Sequence, residues 1–389
     1  MDKITEKYPW INFSINLKNL SFITWVQLGE CVSKIEHISS VPLKPEISEE
    51  MHKVYLAKGV QATTAIEGNS LTEEEVRLRL DNKLKLPPSK EYLGKEIDNM
   101  LFLCNELKNV RIPAEKEHLL NCENVLHYNK IILKEIPLLE HIIPGKFRTY
   151  SVGVGTYRAP DFNDIQVLME KYCEWLNDND NFVVDNRYPV LNSIVKAIVA
   201  HLYFAWIHRF GDGNGRTARI IELYILLSSG VPSPAAHLLS NHYNATRSEY
   251  YKQLDEAGKK NDINGFISYA VQGFLDGLKE QLKYVFSQVI ETSWESYVYE
   301  TFREHKHHEN ITKRIRHLLL DLSKQKNPVP FKDLVTISKP VMELYRNKTT
   351  KTLSRDIHEL EKLDMIEKTE QGYRAKTEKM LVLFPRVMK

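Results

Sequence analysis

One stretch of twelve residues largely decides how this chain is interpreted: His208-Arg-Phe-Gly-Asp-Gly-Asn-Gly-Arg-Thr-Ala-Arg219. It lies between two apolar segments with helical periodicity, at 189–207 and 215–228. Its three glycines permit backbone conformations that other residues resist. A glycine-rich turn that opens a helix points several N–H groups at one place, and the helix dipole adds positive potential there. The stretch therefore predicts an anion-binding loop.

The side chains of this loop indicate phosphoryl or nucleotidyl transfer. Arg216 and Arg219 supply forked donors that suit phosphate oxygens. Asp212 offers the hard oxygen that Mg²⁺ prefers, and His208 titrates near neutral pH and can act as a base. The loop is not a Walker A loop, because no Gly-Lys-Ser/Thr follows, and it is not a dinucleotide fingerprint, because no strand precedes it. A plain glycine-rich connector is the alternative, and the coincidence of these side chains disfavours it.

The stretch resembles the signature of the Fic family, His-Pro-Phe-x-Asp/Glu-Gly-Asn-Gly-Arg-x-x-Arg. The matching residues are His208, Phe210, Asp212, Gly213, Asn214, Gly215, Arg216 and Arg219. Arg209 stands where the family usually has Pro, a departure that removes no catalytic group. The resemblance covers roughly residues 45–290. It includes a hairpin signal near 145–160, where the family has a flap that holds a target segment by strand pairing.

The resemblance implies transfer of AMP from ATP to a Ser, Thr or Tyr hydroxyl of a protein, including the chain itself. By this resemblance His208 deprotonates the hydroxyl and Asp212 holds Mg²⁺, the one cofactor implied. The residues expected to bind ATP through its phosphates are Gly213, Asn214, Gly215, Arg216 and, at the γ-phosphate, Arg219. A branch that transfers phosphate carries Lys at the place of Gly215, so the glycine here favours AMP transfer.

A second motif, Thr63-Thr-Ala-Ile-Glu67-Gly68, lies near the N-terminus. Taken alone it is a helix C-terminus with a glycine stop. It resembles the inhibitory motif of the Fic family, which implies that Glu67 pairs with Arg219 in the place of the γ-phosphate and misaligns ATP for in-line attack. A purely structural ion pair is the alternative. Whether Glu67 also orients water for removal of AMP stays open.

The segment 239–251 follows the loop and is rich in aromatic and amide side chains. Tyr243, Asn244, Tyr250 and Tyr251 either stack on adenine and hydrogen-bond to it or belong to the core. Both interpretations stay open, and Tyr243 and Asn244 are taken as the candidate adenine contacts.

Helical periodicity dominates the rest of the chain, so the predicted fold class is mainly α: a Fic-type helical core with a small β-hairpin flap, followed by a C-terminal winged helix. Three regions are expected: a helical N-terminal region with the inhibitory motif (1–110), the Fic core (111–291), and a linker helix with the winged helix (292–389). Ser70-Leu-Thr-Glu73 is a candidate capping box. Further predicted helices cover 17–38, 48–66, 91–107, 114–133, 164–177, 247–258 and 263–291.

The C-terminal region is basic, with 18 Lys/Arg against 10 Asp/Glu over 311–389, although the whole chain has a net charge of only +2. Helical patterns at 311–322, 329–335 and 348–363 precede a hairpin at 365–375, an order that resembles a winged helix. On the third helix the residues predicted to face outward, as in a DNA reader, are Thr349, Thr350, Lys351, Ser354 and Arg355. Because winged helices also bind proteins, DNA contact is one alternative. It supports a second functional hypothesis, a DNA-binding transcriptional regulator whose Fic core senses nucleotide.

Composition excludes several classes of protein. The 389 residues are 42% hydrophobic and 27% charged, values typical of a globular protein rather than a disordered one. The four cysteines form no C-x-x-C pair, which argues against a zinc ribbon or a disulfide scaffold. The start of the chain lacks the apolar run of a signal peptide, and no segment reaches the length of a membrane span. We therefore expect a cytoplasmic protein without a membrane partner, and the resemblance makes a homodimer plausible.

Overall fold

The computed structural model describes residues 3–109, 120–155, 157–304 and 308–381. The chain forms two compact units, Met1–Lys283 and Tyr284–Lys389. The second unit thus begins eight residues before the boundary at 292 that the sequence suggests. The mainly α fold class is confirmed.

Sixteen α-helices and four β-strands occur within the described ranges. The helices are α1 (Lys3–Lys7), α2 (Phe22–Ser40), α3 (Pro45–Ile66), α4 (Glu73–Leu80), α5 (Glu91–Asn109), α6 (Cys122–Ile132), α7 (Ile165–Asn177), α8 (Pro189–Ile207), α9 (Asn214–Ser228), α10 (Ser233–Ala236), α11 (Leu238–Ala245), α12 (Arg247–Lys260), α13 (Asn264–Glu304), α14 (Glu309–Ser323), α15 (Lys339–Tyr345) and α16 (Thr350–Lys362). The strands are β1 (Gly153–Val154), β2 (Tyr157–Arg158), β3 (Ile366–Thr369) and β4 (Gly372–Ala375).

The helices α8 and α9 form the central pair of the first unit and flank the glycine-rich loop. Proline at the start of α8 presets the backbone for the first turn, and 13 of the 19 residues of the helix are buried. This helix is long and apolar enough to cross a bilayer, but 72% of its most apolar window is buried inside the protein. The expectation that no segment reaches the length of a membrane span is therefore wrong for α8, whose burial is that of a core helix. The helices α3, α5 and α6 pack against its partner α9.

The helix that carries Glu67, α3, ends at Ile66, and Gly68 adopts a left-handed φ of 104° just beyond it. The capping box of the next helix lies two residues later than predicted. Thr72 Oγ1 accepts from the Glu75 amide at 3.2 Å, and Glu75 Oε2 accepts from the Thr72 amide at 2.8 Å. Because α4 begins at Glu73, the predicted N-cap Ser70 lies outside the helix.

Most other predicted helices are present with ends shifted by a few residues. The structure places α6 at Cys122–Ile132, and the predicted start of that helix at 114 lies outside the described residues. The predicted flap is a hairpin of two-residue strands, with Gly153 paired to Arg158 in antiparallel register. The short helices α10 and α11 lack a predicted counterpart, and α13 continues to Glu304 through the segment interpreted as a linker.

The second unit has a core built from α13, α14, α15, α16 and the hairpin β3–β4. Val329 adds a bridge to Tyr373, so three extended segments lie side by side. The region predicted as a helix at 329–335 is this bridge followed by a 3₁₀ turn, and α15 is an additional helix. A buried ion pair joins Arg314 Nε to Asp356 Oδ2 at 2.7 Å. The residues predicted to face outward on α16 are exposed.

Candidate active site

The glycine-rich loop is held by its own residues. His208 ends α8 in the left-handed conformation with φ of 48°, and Gly213 follows with φ of 79° just before α9. The buried side chain of Asn214 closes the loop: its Oδ1 accepts from the Phe210 amide and its Nδ2 donates to the Phe210 carbonyl, both at 2.9 Å. The side chain of Asn214 is therefore committed to the loop, and its backbone N–H lies at the N-terminus of α9, where anions bind.

Two buried residues outside the loop fasten it to the flap segment. Arg148 donates from Nε to the His208 carbonyl at 2.8 Å, and its two Nη groups donate to the carbonyls of Tyr150 and Pro160. Asn129 Nδ2 donates to the Asp212 carbonyl at 3.0 Å. Neither residue was predicted from the sequence, because side chains that bind carbonyls leave no motif.

The contacts of His208 leave one ring nitrogen available as a base. Nδ1 lies 3.3 Å from the Ala205 carbonyl oxygen, which can only accept, so Nδ1 carries the proton and Nε2 has the free lone pair. Burial lowers the pKa of His208, against opposing contributions from the Ala205 carbonyl and from the carboxylates of Glu67 and Asp212. The imidazole is therefore neutral at pH 7 and able to accept a proton.

The predicted ion pair between Glu67 and Arg219 is present. Arg219 Nη2 lies 2.6 Å from Glu67 Oε1 and also donates to the Thr63 carbonyl at 3.0 Å. Burial raises the pKa of Glu67, but the charge and the hydrogen bond of Arg219 and the charge of Arg216 outweigh it, and the net shift is downward. A Cβ at Gly215 would lie 2.2 Å from Glu67 Oε1, so the carboxylate can come this close only to a glycine.

Arg216 also has carboxylate partners. Its Nη1 lies 2.7 Å from Glu96 Oε1 and its Nη2 lies 3.0 Å from Asp212 Oδ1, while the arginine side chain is only 4% exposed. These groups line a cavity of about 300 Å³. Its lining residues are Glu67, Tyr92, Glu96, Ile136, Pro137, Asp212 and Arg216.

Asp212 suits the role of Mg²⁺ ligand. Its side chain is 40% exposed and lines the cavity. The described residues contain no cluster of three or more His, Cys, Asp or Glu side chains that could bind a metal ion by themselves. Mg²⁺ usually takes one or two carboxylates and completes its shell with phosphate oxygens and waters, so the single carboxylate fits.

Arg209, at the position where the signature has Pro, is fully buried. Its guanidinium carbon lies 4.4 Å from the ring centre of Phe147 and 4.3 Å from that of Phe210, and none of its side-chain nitrogens has a hydrogen-bond partner among the described residues. Burial lowers its pKa to about 9. Nearby, Cys122 and Cys173 have their sulfur atoms 3.1 Å apart, and this contact lowers the pKa of Cys122 to about 7.

The candidate adenine contacts need correction at Tyr243. This tyrosine is completely buried and packs among His201, Tyr250 and Phe266, so its ring belongs to the core and cannot stack on a nucleotide. Asn244 is partly buried.

Side chains of α12, in the region after the loop, bind the end of α3, a role that the sequence does not predict. Arg247 on α12 donates to the carbonyls of Ala65 and Ile66, and the exposed Tyr251 lies 3.4 Å from the latter. These carbonyls belong to the last turn of α3, where carbonyl groups have no N–H donor inside the helix. The two side chains therefore fix the end of the helix that presents Glu67.

Comparison with known proteins confirms the family resemblance. Residues 119–226 match the model of the Fic/DOC family. The chain is 28% identical over 215 residues to a protein adenylyltransferase fic-1 of Caenorhabditis briggsae, a match that covers 55% of this chain and 38% of the relative. It is 27% identical to a protein adenylyltransferase Fic of Nematostella vectensis, over 60% of this chain and 49% of the relative. The chain thus spans less than half the length of these relatives.

Two solved structures support the fold. A Fic family protein from Desulfovibrio desulfuricans G20 superposes with a TM-score of 0.51 at 20% identity and covers 90% of this chain and 95% of its own. Fic-1 of C. elegans (residues 134–508) superposes with a TM-score of 0.55 at 21% identity, over 68% of this chain and 73% of its own.

Proposed function

Because residues 119–226 match the model of the Fic/DOC family, we propose that the chain is a self-inhibited protein adenylyltransferase, which transfers AMP from ATP to hydroxyl side chains of proteins, itself included. The observation that carries the proposal is the loop itself. It joins a neutral histidine with a free Nε2, one cavity-lining carboxylate and a helix N-terminus flanked by buried arginines. The names of the relatives support adenylyl transfer as the reaction.

In the proposed reaction His208 Nε2 takes the proton of a Ser, Thr or Tyr hydroxyl. The hydroxyl oxygen forms a bond to the α-phosphorus of ATP as the bond to the leaving pyrophosphate breaks. Arg216, Arg219 and the N–H groups at the start of α9 bind the phosphate oxygens and stabilise the charge that develops on them. Mg²⁺, held at Asp212 and by phosphate oxygens, would neutralise part of the triphosphate charge.

Self-inhibition is proposed from the position of Glu67. Its carboxylate holds Arg219 and approaches Gly215, so it takes the place that an anion would occupy at this end of the loop. A γ-phosphate and Glu67 would compete for the same guanidinium, and ATP would bind with its α-phosphorus out of line with the incoming hydroxyl.

The test uses wild type, Glu67→Gly and His208→Ala, each incubated with Mg²⁺ and ATP labelled at the α-phosphate, with γ-labelled ATP as a control. We expect labelling in Glu67→Gly to exceed wild type by about 10²-fold, because alignment for in-line attack is restored. His208→Ala should show no transfer. Labelling from γ-labelled ATP would instead indicate phosphate transfer. Equal labelling of wild type and Glu67→Gly would refute self-inhibition by Glu67.

DNA binding by residues 311–389 is a second candidate function, which we infer from the exposed face of α16. The face carries Lys351, Arg355 and three hydroxyl residues in a region of excess positive charge. The hairpin β3–β4, with its bridge to Val329, supports the predicted winged helix. A gel shift with mixed-sequence duplex DNA tests it. Binding that weakens steeply with salt, and weakens further in Lys351→Glu, would support it. Absence of salt-sensitive binding would refute it.

A further inference from the structure

The nucleotide site contains a second arginine–carboxylate pair besides the one predicted from sequence. Glu96 of α5 contacts Arg216 at 2.7 Å, nearly the separation of Glu67 and Arg219. Both pairs are largely removed from solvent, with the Glu96 side chain 14% exposed and the Glu67 side chain 29% exposed. Both arginines lie on the first two turns of α9, where the phosphates of ATP are proposed to bind.

The balance of charge at this place opposes a polyanion. Arg216 and Arg219 supply two positive charges, and three carboxylates at Glu67, Glu96 and Asp212 contact them at 3.0 Å or less. Of the three carboxylates, Asp212 has an expected use as a Mg²⁺ ligand and Glu67 as the inhibitory residue. Glu96 has no role in the proposed reaction, although it neutralises an arginine that the reaction needs.

Glu96 is also connected to the turn that carries Glu67. Asn69, two residues after Glu67 and 6% exposed, donates from Nδ2 to Glu96 Oε2 at 2.7 Å and to the Leu93 carbonyl at 3.0 Å. Its Oδ1 accepts from the Leu71 amide, and its own amide donates to the Thr64 carbonyl at the end of α3. Asn69 therefore bonds to the inhibitory turn through its backbone amide and to Glu96, the carboxylate on Arg216, through its side chain.

We propose that Glu96 is a second inhibitory carboxylate, which holds Arg216 away from phosphate as Glu67 holds Arg219. Asn69 links the two carboxylates, so that they release their arginines together. The inference rests on the proposed function, because it assigns Glu96 a role at the same nucleotide site. A triphosphate that enters the site has to replace a charge-assisted bond at each arginine, and movement of the turn at 67–69 loosens both carboxylates at once.

The decisive variant is Glu96→Gln, which removes the negative charge and keeps the size and an oxygen acceptor for Arg216. The matched control is Glu91→Gln on the same helix, since Glu91 is 45% exposed and pairs with Arg79 outside the cavity. Both are made in a His208→Ala background, in which transfer is blocked, and binding of Mg²⁺–ATP is measured by calorimetry. We expect Glu96→Gln to lower Kd about tenfold and Glu91→Gln to leave it unchanged.

Coupling through Asn69 is tested by combining Glu96→Gln with Glu67→Gly. If the two carboxylates release together, the affinity gain of the double variant is smaller than the product of the two single gains. Independent gains that multiply would refute the link through Asn69. Thermal melting of each variant identifies any loss of folding, and Glu96→Ala serves as a second variant if Glu96→Gln unfolds.

An unchanged or raised Kd in Glu96→Gln, with the protein folded, would overturn the proposal and make Glu96 a residue that orients Arg216. That result differs from failure of the proposed function. If the chain is not an adenylyltransferase, α-labelled ATP leaves every variant with an intact His208 unlabelled, including Glu67→Gly, whereas a wrong assignment of Glu96 leaves that labelling intact.

Discussion

The two ends of the loop at 208–219 each bury arginine, but they surround it differently. At the start, Arg209 lies against the rings of Phe147 and Phe210 near two thiols and has no hydrogen-bond partner among the described residues. At the end, Arg216 and Arg219 are each held by carboxylates at 2.6–3.0 Å. All three side chains are 4% exposed or less.

This difference distinguishes Arg209, a structural cation, from Arg216 and Arg219, which are available to bind an anion. A carboxylate on arginine resembles a phosphate in charge and geometry, so a phosphate can replace it without leaving the guanidinium unpaired. Aromatic faces and thiols are fixed parts of the core and cannot be exchanged for a ligand. The start of the loop therefore positions His208, and the end of the loop suits the phosphates of the proposed nucleotide.

The largest expected effect separates the two kinds of arginine by activity. In the activated Glu67→Gly background, Arg219→Met should lower transfer by about 10²–10³-fold, because it removes a donor to the charge that develops on the phosphates. Arg209→Met in the same background should change the rate much less, since methionine fills the apolar pocket and replacement of a buried ion by an apolar side chain is often neutral for stability. The measurement is the initial rate of labelling from α-labelled ATP. A loss of comparable size in Arg209→Met would show that the start of the loop also acts on the nucleotide.

The second prediction concerns pH, because the charges at the end of the loop act on the base at its start. The pKa of His208 lies below its usual value of 6.5, chiefly through burial, while Glu67 and Asp212 raise it and Arg148 lowers it. In Glu67→Gly one of the raising charges is gone, so the pKa falls further. The acid limb of kcat/KM should therefore have its midpoint below pH 6.5 and decline tenfold for each further pH unit. A midpoint above 6.5 would mean that the imidazolium is stabilised in the free enzyme.

The parts of the site that depend on local sequence patterns could be predicted. The loop and the helices on both sides of it follow from a short motif and from helical periodicity. The pair between Glu67 and Arg219 follows only from the resemblance to the Fic inhibitory motif. The short helices α10 and α11 carry too few residues for a periodic signal. The sequence around Tyr243 does not distinguish a ring that faces a ligand from a ring in the core. Only the tertiary structure shows that this side chain is buried.

The partners of the loop that come from distant segments could not be predicted. Glu96 is one acidic residue among many on amphipathic helices, and its contact with Arg216 joins positions 120 residues apart. Arg148 binds three backbone carbonyls, and backbone acceptors leave no trace in a sequence. These contacts depend on the packing of α5 and the flap segment around α9, which motifs do not encode.

The smallest expected effect tests whether the position of Glu67 depends on the packing of α3, the helix that ends just before it. Gly59 lies in the middle of α3, and a Cβ there would lie 2.5 Å from the ring of His237, a buried residue whose pKa is lowered to about 4 by burial. Gly59→Ala should therefore move α3, lower the free energy of unfolding by about 1–3 kcal/mol through overpacking, and raise self-labelling severalfold by displacing Glu67. The matched control is Gly29→Ala on α2, where a Cβ meets open space and alanine should stabilise the helix by about 0.5–1 kcal/mol without a change in labelling. If Gly59→Ala melts earlier but labels no faster than wild type, the position of Glu67 does not depend on how α3 packs, and self-inhibition by Glu67 is set by its pair with Arg219 alone.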